Sequence, residues 1–126
     1  MSQIQVKEAF EAAHRSEGYE GKCNRLHGHR WVVEAVVAGT ELDSLGMLVD
    51  FKGVKQELKE VLQRMDHQYL NELEPFFGKM NPTAENMAKY FYEELAKSEI
   101  FRGDTTLRSI CVWESPNSCV TYFPEE

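Results

Sequence analysis

The sequence predicts an α+β fold, in which a four-stranded antiparallel sheet carries two antiparallel helices on one face. The first observation is that apolar and polar residues alternate with a period of two near both ends of the chain, which is typical of half-buried strands. The second is that two segments between them repeat apolar residues with helical spacing. Because strands and helices fall in separate blocks, the order strand, strand, helix, helix, strand, strand favours one sheet with both helices on it.

Length and composition indicate a single domain. The 126 residues, of which 42% are hydrophobic and 28% charged, suffice for one core and are too few for two, so the domain spans 1–126. No apolar run approaches the roughly 18 residues that cross a membrane. The first residues lack the apolar stretch of a secretory signal, and three cysteines without paired spacing fit reduced thiols, so we expect a cytoplasmic protein. A net charge of -7 argues against a nucleic-acid binder.

The first two predicted strands each bury one face. Between Gln3 and His14 the even positions form a mainly apolar face, with Glu8 the exception, and after a polar, glycine-containing loop a second strand begins at His27. In that second strand the odd positions form the apolar face, and its β-branched residues support the prediction. The residues on the predicted buried faces are Ile4, Val6, Phe10, Ala12 and His14 in the first strand, and His27, His29, Trp31, Val33, Ala35 and Val37 in the second.

Three of the four histidines fall at one end of this face. If the strands pair as an antiparallel hairpin, His14 lies beside His27 and His29, since residues two apart in a strand point to the same side. A single histidine at a strand end usually needs only a hydrogen-bond partner, but three that converge from two strands favour a metal site. Zinc is the leading ion, because three protein ligands and an open fourth position are typical of catalytic zinc.

The middle of the chain predicts two helices. The first follows Asp50, a suitable N-cap, and fades near Asp66-His67. A loop with prolines and a glycine leads to the second helix, where Asn81-Pro82-Thr83 supplies capping chemistry. The predicted apolar stripes consist of Val54, Leu58, Val61, Leu62 and Met65 in the first helix, and Ala84, Met87, Ala88, Phe91 and Leu95 in the second.

Two further strands complete the predicted sheet. Gly103-Asp104 ends the second helix, and strands are predicted at Leu107–Trp113 and Ser118–Phe123, joined by a turn at Ser115-Pro116-Asn117. An open sheet of this kind has unpaired edges, which assembly into a closed oligomer would cover.

The three cysteines differ in their expected surroundings. Cys111 and Cys119 lie in predicted strands, where we interpret them as small core residues. Cys23 lies in the loop before His27, and three roles are open to it: a fourth ligand that closes a structural zinc site, a nucleophile or base beside the metal, or an inert thiol. A nearby metal or cation would raise the thiolate fraction of such a cysteine. Spacing alone leaves the first two roles level.

For several polar residues, a purely structural role is enough to explain their presence. The Asp66-His67 pair fits general acid or base chemistry, but a histidine at a helix end also interacts favourably with the helix dipole. Glu114 lies where a strand enters a turn, and Thr83 and Glu85 suit the start of a helix. Residue type alone singles out none of them for catalysis.

Five motifs follow one another along the chain. They are His14, Cys23-x3-His27-Gly28-His29, Asp66-His67-x2-Leu70-Asn71, Pro82-Thr83-Ala84-Glu85-Asn86 and Trp113-Glu114-Ser115. This ordered set, which spans nearly the whole chain, resembles the 6-pyruvoyltetrahydropterin synthase family, and in particular its 6-carboxytetrahydropterin synthase branch. That branch belongs to queuosine and 7-deazapurine biosynthesis.

The resemblance implies a fold, a metal centre and an assembly. The fold is the tunnelling fold, with the order ββααββ. Zn²⁺ would bind His14, His27 and His29, and Cys23 would be the base that removes a proton from the substrate. Subunits would join their sheets side by side into a trimeric barrel, and two trimers would stack as a homohexamer.

The resemblance also implies roles for the residues that their types leave undecided. Asp66 and His67 would assist proton transfer as a pair. Glu114 would bind the pterin ring, which presents two adjacent donors that one carboxylate can accept. Thr83 and Glu85 would line the pterin pocket.

The implied substrate is a small pterin, 7,8-dihydroneopterin triphosphate. The carboxy branch converts it to 6-carboxy-5,6,7,8-tetrahydropterin with release of acetaldehyde and triphosphate. The short gap between Cys23 and His27 favours this branch over the pyruvoyl synthases, which eliminate triphosphate only. A non-enzymatic alternative is a structural zinc protein in which Cys23 joins the three histidines as a ligand. Since the chain lacks a glycine-rich phosphate motif, the candidates to meet the triphosphate are Lys22, Arg25 and Arg30.

Overall fold

The architecture is one sheet with helices packed on one of its faces. A computed structural model describes residues 1–18 and 25–125. In these residues the elements are β1 (Ser2–His14), β2 (His27–Gly39), α1 (Phe51–Gln63), β3 (Gln68–Tyr69), α2 (Ala84–Leu95), β4 (Thr106–Ser115) and β5 (Ser118–Tyr122), with a 3-10 turn at Leu70–Glu72. Across the described part of the chain the strands lie side by side in the order β3-β1-β2-β4-β5. The predicted α+β class is confirmed.

The predicted number of strands is wrong by one, because β3 adds a fifth strand within the described residues. It pairs in parallel with β1, opposite Ala12 and Ala13, so the sheet is mixed rather than purely antiparallel. The chain reaches this edge through His67, which adopts a φ of 59° and donates its amide to the Glu11 carbonyl over 2.6 Å. Two residues are too few to show a period of two, so the sequence carries no signal for this strand.

The β1–β2 hairpin has the predicted phase. Phe10 lies opposite Trp31 and His14 lies opposite His27, which places even residues of β1 and odd residues of β2 on one face. On that face the residues of β1 from Val6 to His14 are buried except for the half-buried Glu8, and those of β2 are buried from Trp31 onward. The hairpin therefore ends with its histidines beside each other, as the alternation predicts.

The two described helices cover this face, and their predicted apolar stripes are buried in one core with the residues of β1, β2 and β4. Asp50 caps α1, where its side chain accepts from the Lys52 amide over 3.0 Å. Thr83 caps α2, where its hydroxyl oxygen accepts from the Asn86 amide over 3.1 Å. Both caps satisfy amides that have no partner within the helix, so each helix begins at a defined residue.

Aromatic side chains of the core pack beneath the histidines. Trp31 is fully buried and stacks on Phe10 with 6.2 Å between ring centroids, and Phe10 meets Phe91 of α2 edge to face at 5.7 Å. The indole nitrogen of Trp31 donates to the Ala12 carbonyl over 3.2 Å. Because interiors of this kind are close-packed, the end of the hairpin above Trp31 is held in a fixed position.

The expectation that Cys111 and Cys119 are core residues is wrong. Cys111 is half-buried and Cys119 is exposed, because both face the side of the sheet opposite the helices. Ile110 and Val112, the neighbours of Cys111, are the residues of β4 that enter the core. Within the part of the chain that is described, no helix has the length and apolar character needed to span a membrane.

Candidate metal centre

Three imidazole rings converge at the end of the β1–β2 hairpin where the chain passes from His14 of β1 to His27 of β2. The ring centroids of His14 and His27 lie 4.5 Å apart, those of His27 and His29 lie 4.6 Å apart, and those of His14 and His29 lie 5.4 Å apart. His14 and His29 also contact the edge of Trp31, at 4.9 and 5.2 Å between centroids. The predicted convergence of the three side chains is therefore observed.

Backbone carbonyls fix the tautomers of two of these rings. The Nδ1 atom of His14 lies 2.8 Å from the Pro82 carbonyl oxygen, and that of His27 lies 2.7 Å from the Arg25 carbonyl oxygen. A carbonyl oxygen can only accept, so each Nδ1 carries the proton and each neutral ring presents a lone pair at Nε2. The two Nε2 atoms are 3.0 Å apart. Two lone pairs at this distance repel each other unless a cation or a proton lies between them.

Glu114 adds a carboxylate to the three rings. Its Oε1 atom lies 3.1 Å from Nε2 of His29, 3.5 Å from Nε2 of His14 and 3.9 Å from Nε2 of His27. Among the described residues these four side chains offer donor atoms that all lie within 4.8 Å of one another. Nε2 of His29 is shielded from solvent and makes no well-directed hydrogen bond there. Imidazole nitrogens and a carboxylate oxygen so arranged fit a divalent ion such as zinc.

Burial keeps the rings in the form that binds metals. The pKa of His14 is lowered chiefly by burial, and its hydrogen bond to Pro82 opposes this only in part. The pKa of His29 is also lowered by burial, against the opposing charge of Glu114. Lowered pKa values leave both rings neutral at neutral pH, and a neutral imidazole is the species that coordinates a metal.

The Asp66-His67 pair lies at the β3 edge of the sheet. One carboxylate oxygen of Asp66 accepts from the Glu11 amide over 2.9 Å, and the other lies 3.0 Å from Nδ1 of His67. The bond from Glu11 is the main reason why the pKa of Asp66 is lowered. The His67 side chain is 74% exposed. The two residues thus contact each other, as a proton-transfer pair must, and they stand apart from the four-donor cluster of the described residues.

The remaining predicted site residues lie either at the start of α2 or outside the described residues. Thr83 caps α2, and Glu85 is exposed in the first turn of that helix. Thr83 directly follows Pro82, whose carbonyl holds His14, and Glu85 comes two residues later. Cys23, the predicted base, lies outside the described residues, as does Lys22.

A cavity of about 660 Å³ extends from the cluster across the sheet face that the helices leave open. His29 and Glu114 lie at one end, and Lys7, Arg30 and Glu34 are among its lining residues. Glu34 accepts from the indole nitrogen of Trp113 over 2.8 Å. Arg30, one of the predicted cations for triphosphate, therefore borders the cavity that begins at the cluster.

Sequence reasoning missed two parts of the centre. The resemblance places Glu114 at the pterin ring, whereas the structure places it beside the imidazoles. Its position in β4 carries a signal for this, because Glu114 is in phase with the buried Ile110 and Val112 and so faces the same side of the sheet as the histidines. The Pro82 carbonyl was not expected at all. Backbone acceptors carry no residue-type signal, so only the folded chain reveals it.

The fold and the site together define a class, namely α+β proteins with a histidine-rich centre of metal-binding type at the rim of the sheet. The chain belongs to the 6-pyruvoyl tetrahydropterin synthase family, whose model matches residues 3–125. The resemblance carried by the motifs is therefore confirmed. Relatives are named as tetrahydropterin synthases, which makes this a family of lyase-type enzymes.

Both product names occur among similar proteins. A 6-carboxy-5,6,7,8-tetrahydropterin synthase of Synechocystis sp. is 35% identical, over 91% of this chain and 88% of that protein. One from Rickettsia felis is 31% identical, over 88% of this chain and 92% of that protein. A putative 6-pyruvoyl tetrahydrobiopterin synthase of Caenorhabditis elegans is 32% identical, over 91% and 89%. Identity alone does not separate the two branches.

Solved structures confirm the tunnelling fold. That of Caenorhabditis elegans 6-pyruvoyl tetrahydropterin synthase matches with a TM-score of 0.83 at 31% identity, and the match covers 98% of this chain and 96% of that chain. A 6-pyruvoyltetrahydropterin synthase of Plasmodium vivax, at 18% identity, has the same fold with a TM-score of 0.75 and covers 99% of this chain and 98% of that chain.

Proposed function

We propose that this protein is a zinc-dependent lyase that converts 7,8-dihydroneopterin triphosphate and one water to 6-carboxy-5,6,7,8-tetrahydropterin, with release of acetaldehyde and triphosphate. The reaction belongs to queuosine and 7-deazapurine biosynthesis. The observation that carries the proposal is the convergence of the His14, His27 and His29 rings. Backbone carbonyls fix the tautomers of the His14 and His27 rings, which leaves a lone pair on each Nε2 atom. The names of the relatives in Synechocystis and Rickettsia support the carboxy product.

His14, His27 and His29 hold the ion in this proposal, and a fourth position stays free for substrate. When bound, zinc supplies a Lewis acid that polarises the side-chain hydroxyls of the substrate and acidifies the adjacent C–H group. Cys23 accepts the proton from that carbon. The thiolate is the reactive form of such a residue, and a cation nearby favours it.

Asp66 and His67 return or relay protons as a pair. Their contact over 3.0 Å supports this role, because a carboxylate that accepts from Nδ1 orients the ring and stabilises its protonated form. The pair lies at a sheet edge, so the proposal includes an assembly in which such edges join, first into a trimeric barrel and then into a pair of trimers. Side-by-side joining of sheets brings a neighbouring chain to that edge.

Glu114 accepts the two adjacent N–H donors of the pterin ring. Thr83 and Glu85, which do not border the cavity beside Glu114 within one chain, complete the pterin pocket in this proposal. The cavity beside Glu114 supports a ligand site there, and Arg30 at its border is one cation that can meet the triphosphate. Arg25 and Lys22 are further candidates.

In this proposal the Glu114 carboxylate is assigned to the substrate. Its place 3.1 Å from Nε2 of His29 would also suit a ligand of the ion, and the zinc content of a Glu114→Gln variant distinguishes the two roles.

The product decides between the two branches of the family. Purified protein is incubated with 7,8-dihydroneopterin triphosphate, acetaldehyde is measured by coupled reduction with NADH, and the pterin is identified by chromatography and mass. We expect acetaldehyde and 6-carboxytetrahydropterin in equal amounts. A pyruvoyl product without acetaldehyde would reject the carboxy reaction and leave a triphosphate lyase.

The variant Cys23→Ala separates a catalytic thiol from a structural ligand. If the thiol is the base, the variant keeps its zinc content and its melting temperature but loses turnover. If the thiol closes a structural zinc site, zinc retention and stability fall together. Cys119→Ala is the matched control, since Cys119 is exposed on the edge strand β5 and does not belong to the histidine cluster, so activity is expected to persist in either case.

A further inference from the structure

We propose that Asn71 and Asn81 are positioning residues for the metal centre. Their side-chain amides hold the chain that follows His14, and through it they fix the direction in which the His14 ring points. This inference rests on the proposed function, because it takes His14 to be a ligand of the ion.

Each asparagine pairs with both backbone groups of one residue. Asn71 accepts from the Arg15 amide over 2.9 Å and donates to the Arg15 carbonyl over 2.9 Å. Asn81 accepts from the Glu17 amide and donates to the Glu17 carbonyl, both over 3.0 Å. A carboxamide offers one acceptor and one donor side by side, which is what the two backbone groups of a single residue require.

The two asparagines replace a strand partner. Alternate residues of an extended chain present their backbone groups to the same neighbour, and Arg15 and Glu17 are two apart. β3 pairs with β1 along the same edge at Ala12 and Ala13, but in the described residues that strand ends at Tyr69. Side chains continue the hydrogen bonding beyond that point. They hold the chain in place for three more residues after His14, where β3 no longer accompanies it.

A second link connects this edge to the His14 ring. Pro82 follows Asn81 directly, and its buried carbonyl accepts from Nδ1 of His14 over 2.8 Å. The Asn81 carbonyl in turn accepts from the side chain of Asn86 in α2 over 2.8 Å. The result is a closed circuit that runs from the ring to Pro82, through Asn81 to Glu17, and back along the chain to His14.

This arrangement predicts that Asn81 contributes more to metal affinity than Asn71. Loss of the Asn81 side chain breaks the link between Glu17 and the segment that carries Pro82, so the chain after His14 is no longer tied to the acceptor of the His14 ring. Asn86 still holds the Asn81 carbonyl in this variant. Loss of the Asn71 side chain releases only Arg15. Substitution of the groups that orient a metal ligand typically weakens metal affinity about 10- to 100-fold, and we expect Asn81→Ala in the upper part of that range and Asn71→Ala in the lower part.

The decisive measurement is made without metal and without substrate. Protein with ¹⁵N-labelled histidine is examined by NMR, where the two ring nitrogens of His14 report its tautomer. Wild type is expected to show a single His14 tautomer, protonated at Nδ1. Asn81→Ala is expected to show ¹⁵N signals averaged between the two tautomers of that ring. Asn117→Ala, which alters an exposed asparagine in the β4–β5 turn, is the matched control and is expected to resemble wild type.

Zinc affinity is then measured on the same variants by competition with a chelator. Asn81→Asp keeps the shape and the acceptor but loses the donor, so it is expected to fall between wild type and Asn81→Ala even if the alanine variant folds poorly. A folded Asn81→Ala or Asn81→Asp variant with a wild-type tautomer and zinc affinity within twofold of wild type would overturn the inference. A residue with a merely structural role would lower the melting temperature and leave both readouts unchanged.

The two proposals fail in different ways. If wild-type protein forms no pterin product but the Asn81 variants change the His14 tautomer, the reaction is rejected and the positioning role stands. If the wild type is active and the Asn81 variants leave tautomer and affinity unchanged, the positioning role is rejected and the reaction stands.

Discussion

His14 is the most enclosed of the clustered histidines, with 3% of its surface exposed. Its ring contacts His27, His29 and Trp31, and its Nδ1 atom is committed to the Pro82 carbonyl. Since the ring has neither space to turn nor a second acceptor on the Nδ1 side, its Nε2 lone pair points at the cluster. A ligand oriented in this way binds an ion without first losing rotamer freedom.

Glu114→Gln tests whether the carboxylate serves the substrate or the ion. The amide keeps the size of the side chain but cannot accept from two pterin donors at once, so we expect KM to rise by about tenfold or more, since each lost charge-assisted hydrogen bond is worth about 1.5–3 kcal/mol. Zinc content is expected to stay at the wild-type level. Metal analysis and steady-state kinetics on one preparation check both expectations, and a loss of zinc would make Glu114 a ligand instead.

The two cysteines on the open sheet face differ in reactivity. Burial raises the pKa of Cys111 to about 11, so its thiolate is scarce at pH 8 and increases as the pH rises toward that value. Cys119 is exposed. In a Cys23→Ala background, iodoacetamide at pH 8 is therefore expected to label Cys119 at least tenfold faster than Cys111, and the ratio to shrink at higher pH. Peptide mapping by mass spectrometry gives both rates, and equal labelling at pH 8 would contradict the assigned burial.

The histidine cluster could be predicted because it depends on side-chain phase alone. Alternation in β1 and β2 decides which residues share a face, and His14, His27 and His29 all obey it. The supports of the cluster could not be predicted in the same way. Pro82 acts through its backbone, and Asn71 and Asn81 act on the backbone of residues more than fifty positions away. No local pattern encodes contacts of that kind.

At the scale of elements, the first turn of α2 connects the helix to the metal centre. Thr83 caps the helix, and the Asn86 side chain donates to the Asn81 carbonyl. Pro82, between Asn81 and Thr83, accepts from the His14 ring. The start of α2 therefore has two functions, since it begins a core helix and also supplies the acceptor that fixes a ligand.

Thr83→Ala tests the contribution of this cap. The alanine leaves the Asn86 amide without its partner, and loss of an N-cap typically costs about 1 kcal/mol. We expect the free energy of unfolding to fall by about that amount in urea titrations. Thr83→Ser keeps the hydroxyl and should stay within about 0.5 kcal/mol of wild type. An alanine variant as stable as wild type would show that the cap contributes nothing.

Helices and long strands were predictable, while the short edge strand was not. α1 and α2 each show three to four turns of apolar periodicity between recognisable caps, and their buried residues match that pattern. β3 has two residues and pairs in parallel with a strand more than fifty positions earlier, so its existence depends on how α1 delivers the chain to the edge of β1. Tertiary contact decides such an element, and propensity does not.

At the scale of the whole molecule, the sheet has two edges that differ in length. β3 covers only Ala12 and Ala13 of β1, so in the described chain the rest of β1 has no strand beside it on that side. β5 forms the other edge. Unpaired backbone groups of this kind favour pairing with another chain, and a head-to-tail arrangement that closes on itself forms a ring.

The proposed assembly predicts a definite mass in solution. Light scattering coupled to size exclusion is expected to give three or six times the 14.6 kDa of one chain. The mass should persist in 1 M salt, because hydrogen bonds between strands and apolar contacts are little screened by ions. A monomer at micromolar concentration would contradict the closed ring.

The central claim is that the three histidines hold a zinc ion on which turnover depends. The most direct test strips the metal from wild-type protein with a chelator, returns zinc in steps, and measures acetaldehyde and 6-carboxytetrahydropterin at each step. The account predicts no product without metal and a rate that rises linearly until one ion is bound per chain, with no recovery in His14→Ala. Undiminished turnover by the metal-free protein, or no product from protein loaded with one zinc per chain, would contradict it.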